Sequence, residues 1–162
     1  MAVSAELIAT VRASYALAWH GLHGLPHWVR VRDNGLRLAP ATGATPTVVE
    51  LFALFHDAGR RNDHLDPRHG RRAAELVATM PAELLGLSHA DREVLQYACA
   101  FHTAGLVDGD VTVQTCWDAD RLDLGRVGTR PDPSKLCTAA ARQPELIEWA
   151  WQRSRRESPD GW

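Results

Sequence analysis

Residues 45–59 read Thr-Pro-Thr-Val-Val-Glu-Leu-Phe-Ala-Leu-Phe-His-Asp-Ala-Gly. Thr45 and Pro46 have the chemistry of an N-cap and a first helical position, and Gly59 is a natural C-terminal stop. The stretch therefore predicts a helix that ends by setting His56 and Asp57 side by side. The same punctuation recurs on both sides of it. Upstream, residues 3–20 open at Ser4 and place Leu7, Val11, Tyr15 and Ala18 along one stripe, until Gly21 and Gly24 break the pattern. Pro26 starts a second helix carrying His27, Trp28, Val31 and Leu38, which is expected to stop before Pro40. Downstream, Asp66-Pro67 opens a helix over residues 69–80, and Ser88-His89-Ala90-Asp91 resembles a capping box for one that runs to about residue 103. Residues 111–125 read as a further helix, residues 131–133 as a turn, and residues 144–156 as an amphipathic helix with Leu146, Trp149 and Trp151. No period-two alternation competes with this pattern, and no linker or repeat divides the chain. The expected fold is all-α, with six or seven helices in a single domain spanning residues 1–162.

Composition narrows the function classes. The 162 residues are 45% apolar with a net charge of −2, which gives no general attraction to nucleic acid or to an anionic membrane. No apolar run approaches the roughly 20 residues that a membrane span needs. The N-terminus, Met1 to Glu6, lacks the basic segment and apolar stretch of a signal peptide. Cys99, Cys116 and Cys137 are far apart and odd in number, so a disulfide framework or thiolate zinc site is not expected, and a reducing, cytoplasmic setting is the simpler reading. Lys135 is the single lysine beside seventeen arginines, a bias without mechanistic content.

The unusual residue is histidine, with eight copies. His27 falls at the start of the second helix, His56-Asp57 at the end of the third, His69 in the first turn of the fourth, His102 near the end of the fifth, and Asp120 in the sixth. Neighbours such as His56 and Asp57 point about 100° apart on a helix. They can serve one metal only near the helix terminus, or two metals if the carboxylate bridges. Imidazole and carboxylate without thiolate suit Mn, Fe, Co, Ni or Zn. Any single histidine in such a helix is more often a hydrogen-bonded core or surface group than a ligand. His20, His23 and His89 are read that way, while the joint pattern of the others is harder to dismiss.

Three segments carry a family resemblance: His27-Trp28-Val29-Arg30-Val31, Leu54-Phe55-His56-Asp57-Ala58-Gly59, and Asp118-Ala119-Asp120-Arg121-Leu122-Asp123. Together they resemble the HD-domain superfamily of metal-dependent phosphohydrolases, over roughly residues 15–130, with the C-terminal helix packing on that core. The resemblance implies an all-α scaffold and a metal site formed by His27, His56, Asp57 and Asp120. Asp120 is preferred to Asp118 because residues 119–122 match the family's Ala-Asp-x-Leu context. Members with two metals add two histidines, here His69 and His102, and Asp57 would then bridge. The pattern departs from the family in spacing, with His69 only 12 positions after Asp57, and in Ala73 where a glycine is usual.

The implied activity is hydrolysis of a phosphomonoester or phosphodiester, of a nucleotide or related small metabolite, by metal-activated water. One or two divalent transition metals per chain are implied, Fe or Mn first and Co, Ni or Zn after them. Asp57, His64 and Arg121 are the expected catalytic groups. Arg60, Arg61, Arg121 and Asp123 are expected on the substrate side, where phosphoryl charge must be absorbed. Arg71 and Arg72 are expected to face solvent. Trp28 and Trp117 would stack on a base or wall the pocket, and the C-terminal helix would cap the fold or supply a homodimer face. The Gly-Tyr-Pro signature of the cyclic-dinucleotide phosphodiesterase branch is missing. Two alternatives keep the site and change its use: a mixed-valent diiron oxygenase, and a non-catalytic nucleotide-binding module.

Overall fold

The computed structural model describes residues 3–162; Met1 and Ala2, part of the N-terminal stretch weighed as a signal peptide, lie outside the described residues. The chain forms α1 (Ala5–Ser14), α2 (Leu25–Thr42), α3 (Pro46–Phe55), α4 (His69–Thr79), α5 (Ala82–Leu85), α6 (His89–Phe101), α7 (Val111–Arg121) and α8 (Pro144–Arg156). Two 3-10 turns, Leu124–Val127 and Pro133–Lys135, lie between the last two. Among the described residues there is no strand, and no helix is long and apolar enough to cross a membrane.

α3 is the axis of the fold. Every residue from Val48 to Phe55 is buried, because α2, α6 and α7 pack around it. A helix apolar on nearly every side, with Glu50 the one charged residue of the buried run, belongs in such a position, since any apolar face left in water would forfeit burial worth about 25 cal/mol per Å². α4 lies along α6, and α2 crosses both α3 and α7. The main core joins Trp28, Phe52, Phe55, Leu95 and Trp117, all fully buried. A smaller core of Leu38, Leu122, Leu136, Ala141, Ile147 and Ala150 holds α8 against the end of α2. Trp28 and Trp117 are therefore packing residues, and the indole of Trp117 donates to the Ala98 carbonyl at 3.0 Å.

Helix boundaries follow the expected caps where those caps are local. Ser4 accepts from the Leu7 N–H and Ser88 from the Asp91 N–H, each at 3.1 Å. Five boundaries differ. α3 ends at Phe55 with His56 as its C-cap and residues 56–59 in turns, so Gly59 is not its stop. α4 is capped at Arg68 without a side-chain bond, because the Asp66 carboxylate accepts instead from the Arg61 N–H and from Arg72. α1 stops at Ser14 instead of continuing to residue 20, because Tyr15 turns extended and donates its hydroxyl to the His23 carbonyl at 2.9 Å. Its ring also packs edge-on against Trp19 and Trp28. α2 runs through Pro40 to Thr42 and ends at Gly43 in the left-handed conformation. A proline so near a C-terminus removes one hydrogen bond without breaking the helix. α7 ends at Arg121, and the chain tightens into a 3-10 turn that sends the residues after Asp120 in a new direction.

Candidate metal centre

The helix ends converge. His27 comes from the first turn of α2, His56 caps the C-terminus of α3, and Asp57 follows it in the turn. His69 opens α4, His102 caps α6, and Asp120 sits in the last turn of α7. Two close approaches bring α4 into place. A Cβ on Gly59 would lie 2.5 Å from the His69 carbonyl oxygen, and one on Gly70 would lie 2.6 Å from that of Cys99. The absence of side chains there lets α4 lie against both the turn after Asp57 and the end of α6.

The six side chains form two groups that share Asp57. His27 and His56 face each other with their Nε2 atoms 3.0 Å apart, and His69 and His102 do the same at 2.9 Å. Asp57 turns Oδ2 toward the first pair, at 3.7 Å from His27 and 3.9 Å from His56. Its Oδ1 lies 3.1 Å from His69 and 3.5 Å from His102. Asp120 closes the first group, its Oδ1 3.4 Å from His27 Nε2 and 3.7 Å from His56 Nε2. Side chains bound to one ion at about 2.0–2.2 Å stand roughly 3–4 Å from one another, which is the spacing observed. Both trios, His27-His56-Asp57 and Asp57-His69-His102, are compact enough to hold an ion.

Proton placement tests the fit independently. Each of the four Nδ1 atoms faces an oxygen: His27 the Asp123 carboxylate at 2.6 Å, His56 the Ala53 carbonyl at 3.1 Å, His69 the Asp66 carbonyl at 2.5 Å and His102 the Cys99 carbonyl at 2.7 Å. Nδ1 must therefore carry the hydrogen, and each Nε2 of a neutral ring presents a lone pair. Two lone pairs at 3 Å repel unless a positive charge, a proton or a metal cation, sits against them. Burial keeps His56 from supplying that proton, pushing its pKa down to about 3. Burial would lower His102 as well, but the hydrogen bond to Asp57, the charges of Asp120 and Asp57 and the bond to the Cys99 carbonyl together outweigh it and raise the pKa, so at the His69–His102 pair a proton shared with Asp57 takes the place a metal cation would take. Burial alone would raise Asp57, yet His56 and bonds from His102, His23 and His69 hold its carboxyl well below the usual range. A buried carboxylate among imidazole lone pairs is the donor set of a divalent transition-metal site, and the residues fit such ions.

A supporting layer orients these groups. Asp123, almost fully buried, accepts from His27 Nδ1 and from Arg30 Nε at 2.7 Å. His23 donates to Asp57 Oδ2 and Arg60 Nε to Asp57 Oδ1, both at 3.1 Å. Phe52 stacks on the His56 ring. Such partners fix the tautomer and raise ligand basicity.

The structure redistributes the other expected residues. Arg121 does not face the cluster: its guanidinium bonds the Lys135 and Leu106 carbonyls at 2.8 and 2.6 Å, tying two loops together. Asp123 is turned away from any substrate by its bonds to His27 and Arg30. Arg61 is exposed beside α4. His64 is exposed on the loop, and both of its bonds are made by the main chain, to Asn62 and Arg60. Arg72 does not face solvent but bonds the Gly59 carbonyl and Asp66. Asp118 is buried, holding the N–H groups of Cys137 and Thr138. His23, set aside by sequence as an ordinary histidine, bonds Asp57 directly. Its one sequence signal was its place four residues before His27, and that spacing meant little until the turn at residues 15–24 was formed.

An all-α scaffold whose helix ends gather two histidine pairs around one aspartate has the HD-domain fold. The chain superposes on the crystal structure of a predicted HD superfamily hydrolase from an uncultured Thermotogales bacterium with a TM-score of 0.69 and 22% sequence identity. That match covers 91% of this chain and 84% of the other. No family model and no curated protein matches the sequence.

Proposed function

We propose that the protein is a metal-dependent phosphohydrolase acting on a phosphomonoester or phosphodiester of a nucleotide or similar small metabolite. The observation that carries the reading is the placement of Asp57, with one carboxylate oxygen toward each histidine pair. When bound, divalent ions supply a lowered pKa for water and polarisation of a phosphoryl oxygen. The chain's own residues supply the rest. Asp123 and Arg30 hold His27 in the tautomer that presents Nε2. His23 and Arg60 fix the carboxylate plane of Asp57. Asp120, with 16% of its side chain exposed against 4% or less for the other five ligand candidates, marks the side from which substrate reaches the centre. Arg60 donates Nε to Asp57 and uses Nη1 in longer bonds to the Asn62 and His64 carbonyls. Its Nη2 has no hydrogen bond among the described residues and is free to donate to a phosphoryl oxygen.

The test is elemental analysis of protein purified without chelator, for wild type and His69→Ala, followed by phosphoester assays with and without O₂. Two ions per chain falling to one or none in the variant, with O₂-independent phosphate release, is the expected result. One ion per chain in both proteins would remove the second site. Turnover that requires iron and O₂ would replace hydrolysis with oxygenation.

A further inference from the structure

A second site lies on the surface of the segment that joins Asp57 to His69. Arg61, Arg68, Arg71 and Arg72, with Glu75, line a concavity of about 390 Å³. Four guanidiniums around one hollow are unexpected in a chain whose net charge is −2. Among the described residues only two of their charges face a carboxylate, Arg71 at Glu75 and Arg72 at Asp66. Arg71 pairs with Glu75 at 3.2 Å, but that pair is 79% and 63% exposed and contributes little in water. Arg72 is the only one of the four held firmly, through Nε to the Gly59 carbonyl and Nη2 to Asp66. The guanidiniums of Arg61 and Arg68 have neither an ion pair nor a hydrogen bond among the described residues. The hollow thus combines one preorganised guanidinium with three that can swing onto a ligand. α4 begins at His69, so the positive end of its dipole adds to the field.

We infer that this cavity binds a small oligophosphate, such as the di- or triphosphate group of a nucleotide. Arginine recognises phosphate through paired N–H donors and stays charged at every relevant pH. Glu75 and Asp66 offset Arg71 and Arg72, and a single phosphate, with at most two charges near neutral pH, spans too little to reach Arg61, Arg68 and Arg71 together, whereas a triphosphate carries about four charges along a longer chain. The cavity has the volume of a small-ligand site. A nucleic acid strand would need a basic track extending beyond one hollow. None of the six ligand candidates lines the hollow, and the inference holds whether or not the metal centre hydrolyses phosphoesters.

The experiment titrates sodium tripolyphosphate, with orthophosphate as control, into the full chain by calorimetry, in chelator and again with metal restored. Wild type, the double variant Arg61→Gln/Arg68→Gln, and the metal-centre variant Asp120→Asn are compared. The expected result is tripolyphosphate binding in chelator that weakens about ten-fold in the double variant and is unchanged in Asp120→Asn, with affinity falling as salt rises. Both substituted arginines are exposed, so the double variant should melt with wild type, and a melting curve checks this. Tripolyphosphate affinity equal in wild type and double variant would overturn the site. So would affinity no greater than that for orthophosphate, or tight binding of single-stranded RNA that tripolyphosphate does not displace. Where the enzyme turns over a phosphoester, competitive inhibition by tripolyphosphate assigns the cavity to the substrate's distal phosphates, and non-competitive inhibition assigns it to a separate ligand.

Discussion

Replacing Asp123 with Asn probes the layer that orients the metal centre. The carboxylate takes His27 Nδ1 at 2.6 Å and Arg30 Nε and Nη2 at 2.7 and 3.1 Å, and Asp123 is 1% exposed. Removing one charge of a buried pair costs about 3–5 kcal/mol, chiefly because the partner remains buried without a counter-charge. Two features place Asp123→Asn near the lower end. The amide oxygen still accepts one bond, and Arg30 keeps its bond to the Glu157 carbonyl at 2.7 Å. A loss of about 3 kcal/mol in a chain of this size lowers Tm by roughly 6–12 °C. His27 simultaneously exchanges a charged acceptor for a neutral one, so metal affinity should fall about 10- to 100-fold. Calorimetric melts in chelator measure the first effect, and competition against a metal indicator measures the second. Adding Arg30→Met to Asp123→Asn should destabilise by less than the sum of the single changes, since the stranded cation is gone. A variant that melts within about 1 °C of wild type and binds metal equally would refute the reasoning. A raised KM with unchanged metal affinity and Tm would return Asp123 to the substrate side.

Two further outcomes follow from the same geometry. In the folded chain burial keeps His56 neutral down to a pKa of about 3, while in the unfolded chain it takes up a proton near the ordinary value of about 6.5. The unfolded chain binds more protons between those values, so the Tm of chelated protein should fall as pH drops below about 6.5. Asp120 adds to the loss below about pH 4. Burial would raise its pKa, but the imidazoles of His27 and His56 against it pull it down. His102, whose pKa is raised, adds stability only as pH falls toward about 6.5, so a Tm that is flat or rises between pH 6.5 and 4.5 would contradict this. Gly70→Ala should be destabilising by about 1–3 kcal/mol despite alanine's better helix propensity, because its Cβ meets the Cys99 and Ala100 carbonyls at 2.6 and 3.1 Å. Pushing α4 from α6 separates His69 from His102, so metal analysis should show the second ion lost before the first.

Sequence by itself determined the elements and most of the centre's residue types. Ser4, Ser88 and Pro46 act on their immediate neighbours, so their punctuation is legible in one dimension. The His56-Asp57 pair at the end of an apolar helix, with His27 and Asp120, carried enough pattern to predict the HD-domain fold. Tertiary structure decided which charges meet. Arg121 adjoins Asp120 in sequence, yet the 3-10 turn after α7 directs its side chain to the Leu106 and Lys135 carbonyls. Asp123 and Arg30 are 93 residues apart and His23 and Asp57 are 34 apart, and nothing local distinguishes these from solvated side chains. The two histidine pairs likewise come from different helices, and the lone-pair contacts that call for a cation exist only after those helices pack. Hydrogen bonds and ion pairs act over about 3 Å of space, so the partners of a buried charge are set by which helix ends converge, and the chain order does not record that.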